Sequence, residues 1–447
     1  MGERTVCMFP VVGYQAKILE GIGDRLIKQG AFNKVLFLCP SVSSYNALNQ
    51  HCEKLLLPKM VAELDAGECQ PDTDEKLPAY EEIRFQEELR YGLATAETRE
   101  ERLREAELYR IIWRRLLSER TIDCLLMWNG YALPQQLLTD EFRKCSSNIF
   151  YLENGYEAQT FTVDVSGINA KSGFSVLFMN QNTIMLQREE DNHRLSVNYN
   201  STLNRRLMAY LANQISVFFL SMRGIRLRYE YSNSIVQKVR QVFYKKLESL
   251  RISFRLQLAN KDFIFFPLQV VTDSQLLDNS KVRQDQAVWL AAQAIKRINE
   301  TRNTPLYLVI KEHPRQECRD YLDRLKKSLD YNHIIFLRDG DVSYLIEQCK
   351  AIVTINSSVG YSGLKRKKPV IAFGESIYVK TGLVKSVKNE DQLYNILSEV
   401  LKAPANYYDH NELNRFIGLY QSYCYSISDN SFQRAAQYIA AHLGGRP

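Results

Sequence analysis

The second half of the chain alternates short apolar runs with longer helical segments, and this pattern limits the possible folds more than any other feature. The apolar runs have the length of buried strands and lie at residues 263–266, 306–310, 334–337, 352–355 and 370–373. The predicted helices between them lie at residues 285–299, 321–329, 342–348 and 359–365. Strands that alternate with helices predict a parallel sheet covered on both faces.

The first half of the chain opens with the same kind of pattern. Two predicted strands, at residues 6–8 and 35–38, flank a stretch in which apolar residues recur at helical spacing. The other predicted elements of this half are irregular structure at 57–74, one or two charged helices at 80–120, strands at 124–128 and 149–152, and a basic helical link at 204–250. A second α/β unit is therefore predicted ahead of the first.

Two such patterns in one chain predict an α/β protein with two Rossmann-like domains that face a cleft. We place the first domain at residues 1–255 and the second at residues 256–415. The last segment, 416–447, is predicted to be helical and to pack back on the first domain. Because ligands of open α/β sheets bind beyond the carboxyl ends of the strands, the functional residues are expected in the turns that follow the strands.

Composition indicates an ordinary globular protein without a metal-binding or redox cysteine motif. Hydrophobic residues make up 45% of the 447 residues and charged residues 24%. The nine cysteines include no C-x-x-C pair, and several lie in apolar runs, which favours buried thiols in a reducing cytoplasm. The opening residues lack the features of a secretory signal, and polar residues interrupt the apolar stretch at 207–222. A cytoplasmic location is expected.

Positive charge is concentrated in one segment. Residues 205–261 hold twelve Lys and Arg but only Glu230 and Glu248 as acids, in a chain of net charge +7. This segment is predicted either to contact anionic lipid headgroups or an anionic glycan, or to form a solvated helix face. A peripheral contact with the cytoplasmic face of the inner membrane is the functional interpretation. We expect no nucleic-acid partner.

The turn after the predicted strand 149–152 carries the first candidate site. Glu153 could take a proton from an acceptor hydroxyl, and Gly155 allows a tight turn close to a ligand. The alternative is a surface turn with an incidental acid. Candidate acceptor- or sugar-binding residues in the turns of this half are Gly13, Asn129, Asn154 and Gly155.

Three further clusters follow strands of the second half. Asp273 could attack an anomeric carbon, act as a base or cap the next helix. Lys311 and His313 can donate to a phosphate, and Pro314 fixes their loop, although a plain strand-end turn would look the same. Hydroxyls and N–H groups at residues 356–358 suit an anion at a helix N-terminus, or Ser357 or Ser358 could simply be the cap.

Several common catalytic motifs are absent from the sequence. It has no G-x-G-x-x-G fingerprint, no P-loop and no G-x-S-x-G elbow, which argues against dehydrogenases, P-loop ATPases and esterases. No bound metal or other cofactor is expected. Phosphate-binding loops in one half and an acidic turn in the other are the arrangement expected for transfer from a nucleotide sugar across a cleft.

The motifs, taken in order, resemble a known family. LENGY, TVDVSGIN, PLQVVTDSQ, LVIKEHP and VTINSSVGYSGLKRKKPVIAFGESIYVKTGL are similar to segments of the bacterial capsule polysaccharide β-Kdo transferases, which build the poly-Kdo linker on phosphatidylglycerol. The resemblance is strongest over residues 263–385, weaker over 122–175 and weakest over 6–40. It implies a GT-B-like fold, CMP-β-Kdo as the donor, a glycolipid or polysaccharide acceptor, and retention of configuration at the anomeric carbon.

The resemblance also implies roles for individual residues. Asp273 would be the nucleophile and Glu153 the base that activates the acceptor hydroxyl. Asn169 would contact donor or acceptor. The residues implied in donor binding are Lys311, His313 and Pro314 at the phosphate or the Kdo carboxylate, Asn356, Ser357 and Ser358 at the phosphate, and Gln269 and Gln275 around the sugar. His313 is counted among the catalytic candidates as well.

The sequence departs from the usual family pattern at one place, and three alternatives to the implied donor and function remain open. Members of the family often carry Arg-Pro after the E-x-G-Y turn, whereas this chain has Glu157 and Ala158. The donor could instead be another CMP-ulosonate or a UDP-sugar. The chain could also be a non-catalytic glycan- or lipid-binding subunit of a capsule assembly complex, or a stress-type protein that only binds nucleotides.

Overall fold

The computed structural model describes the chain over residues 3–64, 76–180, 215, 254–314, 319–329, 332–338, 340–404 and 407–443. The predicted helical link at 204–250 lies outside these residues except for Ile215, and so does most of the basic segment 205–261. The described strands form two sheets, one of seven strands and one of five.

The seven-stranded sheet is built from the first half of the chain and one short strand near the end. Its strands are β1 (Thr5–Phe9), β2 (Lys34–Cys39), β3 (Glu53–Leu56), β4 (Cys124–Trp128), β5 (Ile149–Asn154), β6 (Thr160–Asp164) and β12 (Tyr425–Ser426). They lie in the order β12-β6-β5-β4-β1-β2-β3. Strands β1 to β5 are parallel, and β6 folds back antiparallel on β5. The 3-2-1-4-5 order is that of a Rossmann sheet.

The five-stranded sheet repeats this order. Its strands are β7 (Asp262–Pro267), β8 (Leu306–Lys311), β9 (Ile334–Leu337), β10 (Ala351–Thr354) and β11 (Val370–Ala372). They lie in the order β11-β10-β7-β8-β9, and all pairs are parallel. The predicted fold class, α/β with two Rossmann-like parallel sheets, is confirmed.

Helices surround both sheets. Those of the first half are α1 (Gly13–Lys28), α2 (Val42–Ala47), α3 (Leu57–Ala62), α4 (Ala79–Arg90), α5 (Ala96–Glu119), α6 (Leu133–Phe142) and α7 (Phe174–Met179). Those of the second half are α8 (Phe254–Leu258), α9 (Ser274–Asn279), α10 (Gln284–Asn299), α11 (Arg319–Ser328), α12 (Val342–Gln348), α13 (Ser358–Lys365), α14 (Ile377–Lys380), α15 (Glu390–Lys402), α16 (His410–Tyr423) and α17 (Asp429–Ala441).

The C-terminal helix α17 packs against α1 of the first half. Their contact is close, because a Cβ atom at Gly21 would lie 2.5 Å from the ring of Phe432. Strand β12, just before α17, pairs with β6. The last residues that the structure describes therefore complete the first sheet rather than the second.

The prediction of irregular structure at 57–74 was wrong for the first residues of this stretch. Residues Leu57–Ala62 form helix α3, which has Pro58 in its first turn and buries Leu57 and Val61. Proline suits this position because its fixed φ angle matches the helix and its missing N–H would have no helical partner there. The rest of the stretch, from residue 65 onward, lies outside the described residues.

Helices α4 and α5 enclose a buried group of charges. The guanidinium of Arg102 is 3% exposed and donates to the carboxylates of Glu81, at 2.7 Å, and Glu88. At the end of α4, Tyr91 packs into the hydrophobic core of the second half, and α4 itself contacts α9. The buried charges therefore hold in place a helix that comes from the first half and contacts the second half.

Replacing Arg102 by Ala should lower the free energy of unfolding by about 3–5 kcal/mol, because two buried carboxylates lose their cation. Urea denaturation measures this directly. Arg104→Ala on the same helix is the matched control, since its side chain is 67% exposed. The control should change stability by less than about 0.5 kcal/mol. Equal effects of the two substitutions would contradict a structural role for the buried ion pairs.

Candidate active site

Glu153 lies at the end of β5 and is held by two asparagines. The backbone N–H of Asn154 donates to Glu153 Oε1 at 2.8 Å, and the side-chain amide of Asn129 donates to Glu153 Oε2. Asn129 follows β4 with φ +70°. Asparagine is among the few residues other than glycine that tolerate this left-handed conformation. The turn after β4 is thus shaped to present an amide to the carboxylate.

The carboxyl group of Glu153 has a raised pKa of about 7. Burial of the carboxyl away from water is the main cause, and the negative charge of Asp273 adds to it, while the hydrogen bonds from Asn154 and Asn129 act in the opposite direction. The two carboxylates predicted from the sequence therefore lie within electrostatic reach of each other, although they come from different sheets. At neutral pH, Glu153 can both accept and release a proton.

Asp273 follows β7 and is the N-cap of α9. Its Oδ1 accepts a hydrogen bond from the backbone N–H of Gln275 at 2.9 Å. The interpretation of Asp273 as a helix cap is confirmed. A capping carboxylate beside a second carboxylate can also meet a ligand, so a catalytic role stays a prediction.

A buried amide network joins the loop after β7 to the loop after β10. Gln269 Nε2 donates to Asn356 Oδ1 at 2.9 Å, and the backbone N–H of Asn356 donates to Gln269 Oε1 at 3.3 Å. Asn356 Nδ2 in turn donates to the carbonyl oxygen of Gln275 at 2.7 Å. Gln269 and Asn356 are 5% and 1% exposed, so in this structure they fix the two loops together. Their predicted contacts with the donor stay predictions.

Helix α13 begins in the same region. Ser357 is its N-cap, and its hydroxyl accepts from the backbone N–H of Val359 at 3.2 Å, while Ser358 is exposed. The first turn is pinned from behind, since Tyr378 donates to the carbonyl oxygen of Ser357 at 2.9 Å. A Cβ atom at Gly360 would lie 2.7 Å from the Tyr378 hydroxyl oxygen, so only glycine fits there without displacement.

The Lys-Glu-His-Pro segment follows β8. Lys311 is buried, and its ammonium donates to the carbonyl oxygens of Glu312 at 3.0 Å and Arg338 at 3.4 Å. His313 is half-buried and Pro314 is exposed in the loop beyond. The lysine thus braces the loop that presents His313, and its predicted contact with a phosphate stays a prediction.

The turns of the first half gather beside Glu153. Gly13 begins α1, where a Cβ atom would lie 3.3 Å from the carbonyl oxygen of Ser43. The hydroxyl of Tyr14 donates to Asn154 Oδ1 at 2.8 Å. Sequence reasoning missed Tyr14, although an aromatic residue directly after Gly13 in a strand-to-helix turn was a usable signal.

Asn169 lies in a left-handed turn one element further along. Its φ angle is +53°, it is half-buried, and its carbonyl oxygen accepts from the hydroxyl of Ser172 at 2.7 Å. Two residues later, Lys171 forms an ion pair of 2.6 Å with Asp278 of α9. Tyr131 donates its hydroxyl to the same carboxylate. This tie brings the segment of Asn169 against the helix that Asp273 caps.

In the part of the chain that the structure describes, no group of three or more His, Cys, Asp or Glu side chains is placed to hold a metal ion. None of the helices in the described ranges is both long enough and apolar enough to cross a membrane.

Two Rossmann-like sheets, with a site formed by the turns at their strand ends, define a GT-B-type α/β protein. The chain belongs to the capsule polysaccharide biosynthesis protein family, whose family model matches residues 123–402, more than half of the sequence. This confirms the resemblance drawn from the motifs.

Similarity to individual proteins is partial. The capsule polysaccharide export protein KpsS of Escherichia coli is 33% identical over 128 residues, which cover 26% of this chain and only 31% of that protein. The β-Kdo 2,7 transferase structure of Thermosulfurimonas dismutans KpsC is 16% identical, with 77% of this chain and 87% of that one covered and a TM-score of 0.35. The structure of a glycosyltransferase from Rickettsia africae is 10% identical, with 100% of this chain and 100% of that one covered and a TM-score of 0.38.

Proposed function

We propose that this chain is a retaining glycosyltransferase that transfers Kdo from CMP-β-Kdo to a glycolipid or glycan acceptor in capsule or surface polysaccharide biosynthesis. Membership of the capsule polysaccharide biosynthesis family supports the pathway. The observation that carries the proposed reaction is the carboxylate pair, in which burial raises the pKa of Glu153 and the charge of Asp273 from the other half adds to this effect. Paired carboxylates with different environments suit a two-step transfer at an anomeric carbon.

In the first step, the carboxylate of Asp273 attacks the anomeric carbon of Kdo. The bond from that carbon to the phosphate oxygen breaks, and its electron pair leaves with CMP. The phosphate is a good leaving group, so this step needs no proton. The product is an ester between Asp273 and the sugar.

In the second step, the acceptor hydroxyl gives its proton to the carboxylate of Glu153 while its oxygen attacks the anomeric carbon. The bond to Asp273 breaks and the aspartate carboxylate is restored. Two inversions leave the anomeric configuration unchanged. A base with a pKa of about 7 is suited to this step, because about half of it is deprotonated at neutral pH and the carboxylate is basic enough to take the proton.

Donor binding falls to the second sheet in this proposal. The N-terminus of α13, with Ser357 and Ser358, offers N–H groups and hydroxyls to the CMP phosphate. In the same proposal His313, on the loop braced by Lys311, donates to the phosphate or to the Kdo carboxylate. The amides of Gln269, Gln275 and Asn356 set these loops and orient the sugar, while the acceptor meets the turns of Gly13, Asn129, Asn154, Gly155 and Asn169.

Nucleotide release from a panel of donors tests the proposed donor. CMP-Kdo generated in situ should release CMP with this protein, and CMP-sialate and UDP-sugars should release little. The Asp273→Asn variant is the matched control for background hydrolysis. Release only from a UDP-sugar would contradict the donor assignment. No release from any donor, with lipid acceptor supplied, would contradict the glycosyltransferase function itself.

A cytoplasmic, membrane-peripheral location is part of the proposal. Its support is the composition of residues 205–261, whose twelve Lys and Arg would face the anionic inner leaflet where a lipid-linked acceptor lies. The protein should sediment with vesicles that contain phosphatidylglycerol and far less with neutral vesicles. High salt should reverse this binding. Equal sedimentation with both kinds of vesicle would contradict an electrostatic contact.

A further inference from the structure

Glu157 lies four residues after Glu153 and is bound by side chains from the other half of the chain. Its Oε1 accepts hydrogen bonds from the hydroxyl of Tyr361 at 2.7 Å and from Nε2 of Gln421 at 3.1 Å. Its Oε2 lies 2.8 Å from the ammonium of Lys365. These partners belong to α13 and α16, and neither proposed reaction step uses Glu157.

The turn between Glu153 and Glu157 is closed tightly. The backbone N–H of Gly155 donates to the carbonyl oxygen of Thr160 at 2.9 Å, and the Thr160 hydroxyl donates to the carbonyl oxygen of Glu157 at 2.8 Å. A Cβ atom at Gly155 would lie 2.2 Å from that hydroxyl. Such a turn has little room to deform, so a movement of Glu157 is passed on to Glu153.

Tyr156 connects this turn to the same two helices. Its backbone N–H donates to the hydroxyl of Tyr420 at 3.1 Å, and its ring centroid lies 5.7 Å from that of Tyr361 and 5.6 Å from that of Tyr420. The pKa of the Tyr156 hydroxyl is raised, first by burial and then by nearby groups that include the charges of Asp273 and Glu153. The clamped turn therefore lies beside both carboxylates.

The charge of Glu157 is maintained by its partners. Burial acts to raise its pKa, but the donors Lys365, Tyr361 and Gln421 outweigh burial and lower the pKa below its ordinary value. Glu157 is thus an anion wherever Glu153 can act as a base. Tyr361 and Lys365 lie on α13, whose N-terminus is the proposed phosphate site, so the anion joins the base turn to the donor helix.

We propose that Glu157 is a positioning residue whose ion-paired carboxylate holds the turn of Glu153 against α13 and so sets the base over the bound donor. The inference rests on the proposed function for the role of Glu153. It requires that loss of the Glu157 charge slow the attack of the acceptor, which needs the base, and leave the attack of Asp273 on the donor unchanged.

Glu157→Gln tests this, because it keeps the size of the side chain and removes the charge. The first step is followed as the burst of CMP release without acceptor, and the second as the decay of the sugar adduct after acceptor is added. We expect adduct decay to slow by about 10–100-fold, the scale of a small misplacement of a catalytic group, with an unchanged burst. Lys365→Met should act in the same direction, and the reversed pair Glu157→Lys with Lys365→Glu should recover part of the rate.

The ion pair between Arg25 and Asp429 supplies the matched control. It joins α1 to α17 at 2.8 Å, as Glu157 joins its turn to α13, but away from the two carboxylates. Asp429→Asn should leave both steps unchanged, and unfolding midpoints show whether each variant is folded. Equal slowing of both steps by Glu157→Gln, or slowing of neither, would overturn the positioning role.

A readout that needs no donor separates this inference from the proposed function. Carboxyl ¹³C NMR of protein labelled in glutamate follows the titration of Glu153, with Glu153→Gln to assign its signal. If Glu157→Gln releases the turn into water, the pKa of Glu153 falls from about 7 toward its ordinary value. An unshifted pKa would overturn the positioning role whatever the donor. Failure of the wild type to release any nucleotide would instead count against the proposed function.

Discussion

Replacing Asp273 by Asn should abolish transfer and leave the fold intact. Asparagine caps a helix as well as aspartate does, so the hydrogen bond to the backbone N–H of Gln275 can persist. An amide cannot form the sugar ester, and loss of a nucleophile lowers kcat by about 10³-fold or more. Steady-state transfer and urea denaturation, measured on the same preparation, check both halves of this expectation.

Asp273→Ala completes the comparison at this position. Alanine loses the cap as well as the nucleophile, so it should lower the free energy of unfolding by about 1 kcal/mol while its activity is as low as that of the Asn variant. An Asn variant that keeps most of the wild-type rate would show that Asp273 is only a helix cap. The N-cap geometry alone would then account for an aspartate at this position.

Replacing Glu153 by Gln should lower kcat/KM for the acceptor by about 10²–10⁴-fold, the usual contribution of a general base. The pH profile is the sharper measurement. Wild-type activity should rise with pH and level off above about 7, where the carboxylate is deprotonated. The residual activity of the Gln variant should lack this acidic limb. If the acidic limb of the wild-type profile persisted unchanged in the Gln variant, it would arise from the titration of another group.

The same substitution should affect stability with a defined sign. The pKa of Glu153 is 4.5 in its ordinary state and about 7 in the folded protein. Between these values the folded state holds a proton that the unfolded state has lost, so stability falls as pH rises through this window. Glu153→Gln escapes this loss. The free energy of unfolding of the variant, relative to that of the wild type, should increase from about pH 4.5 to about pH 7. Above pH 7 the difference should stay constant.

The strands of the second sheet could be predicted closely from the sequence. The predicted strand at 263–266 is Asp262–Pro267 in the structure, and residues 334–337 match β9 fully. Strand β7 is central and buried; β9 is an edge strand, but its four residues are all apolar and lie between polar residues. Strand β3 was missed because its first two residues, Glu53 and Lys54, are charged and leave only two apolar residues in the strand.

The candidate site could be predicted only in part, because only its residues at strand ends follow a local sequence pattern. Glu153 lies at the end of a strand, Asp273 and Ser357 follow strands, and parallel strands bring their carboxyl ends to one edge of each sheet. The residues that join the halves, such as Glu157 with Lys365 or Lys171 with Asp278, pair across more than a hundred positions. No local pattern marks such pairs.

Lys311 has a structural role that its residue type did not indicate, while its predicted phosphate contact stays a prediction. A lysine beside His-Pro after a strand suggests a phosphate ligand. In the structure its ammonium is buried and donates to the carbonyl oxygens of Glu312 and Arg338. Strand β8 includes Lys311 and is buried up to that residue. The sequence did not indicate that the strand and its burial extend this far.

The most direct test of the account is intact-mass analysis after brief incubation with CMP-Kdo generated in situ, without acceptor. The wild type and Asp273→Asn are compared in parallel, with CMP release measured in each. We expect a gain of one Kdo mass on the wild type and none on the variant. A wild-type chain that releases CMP but stays unmodified, even when quenched at the earliest times, would contradict a carboxylate nucleophile at Asp273.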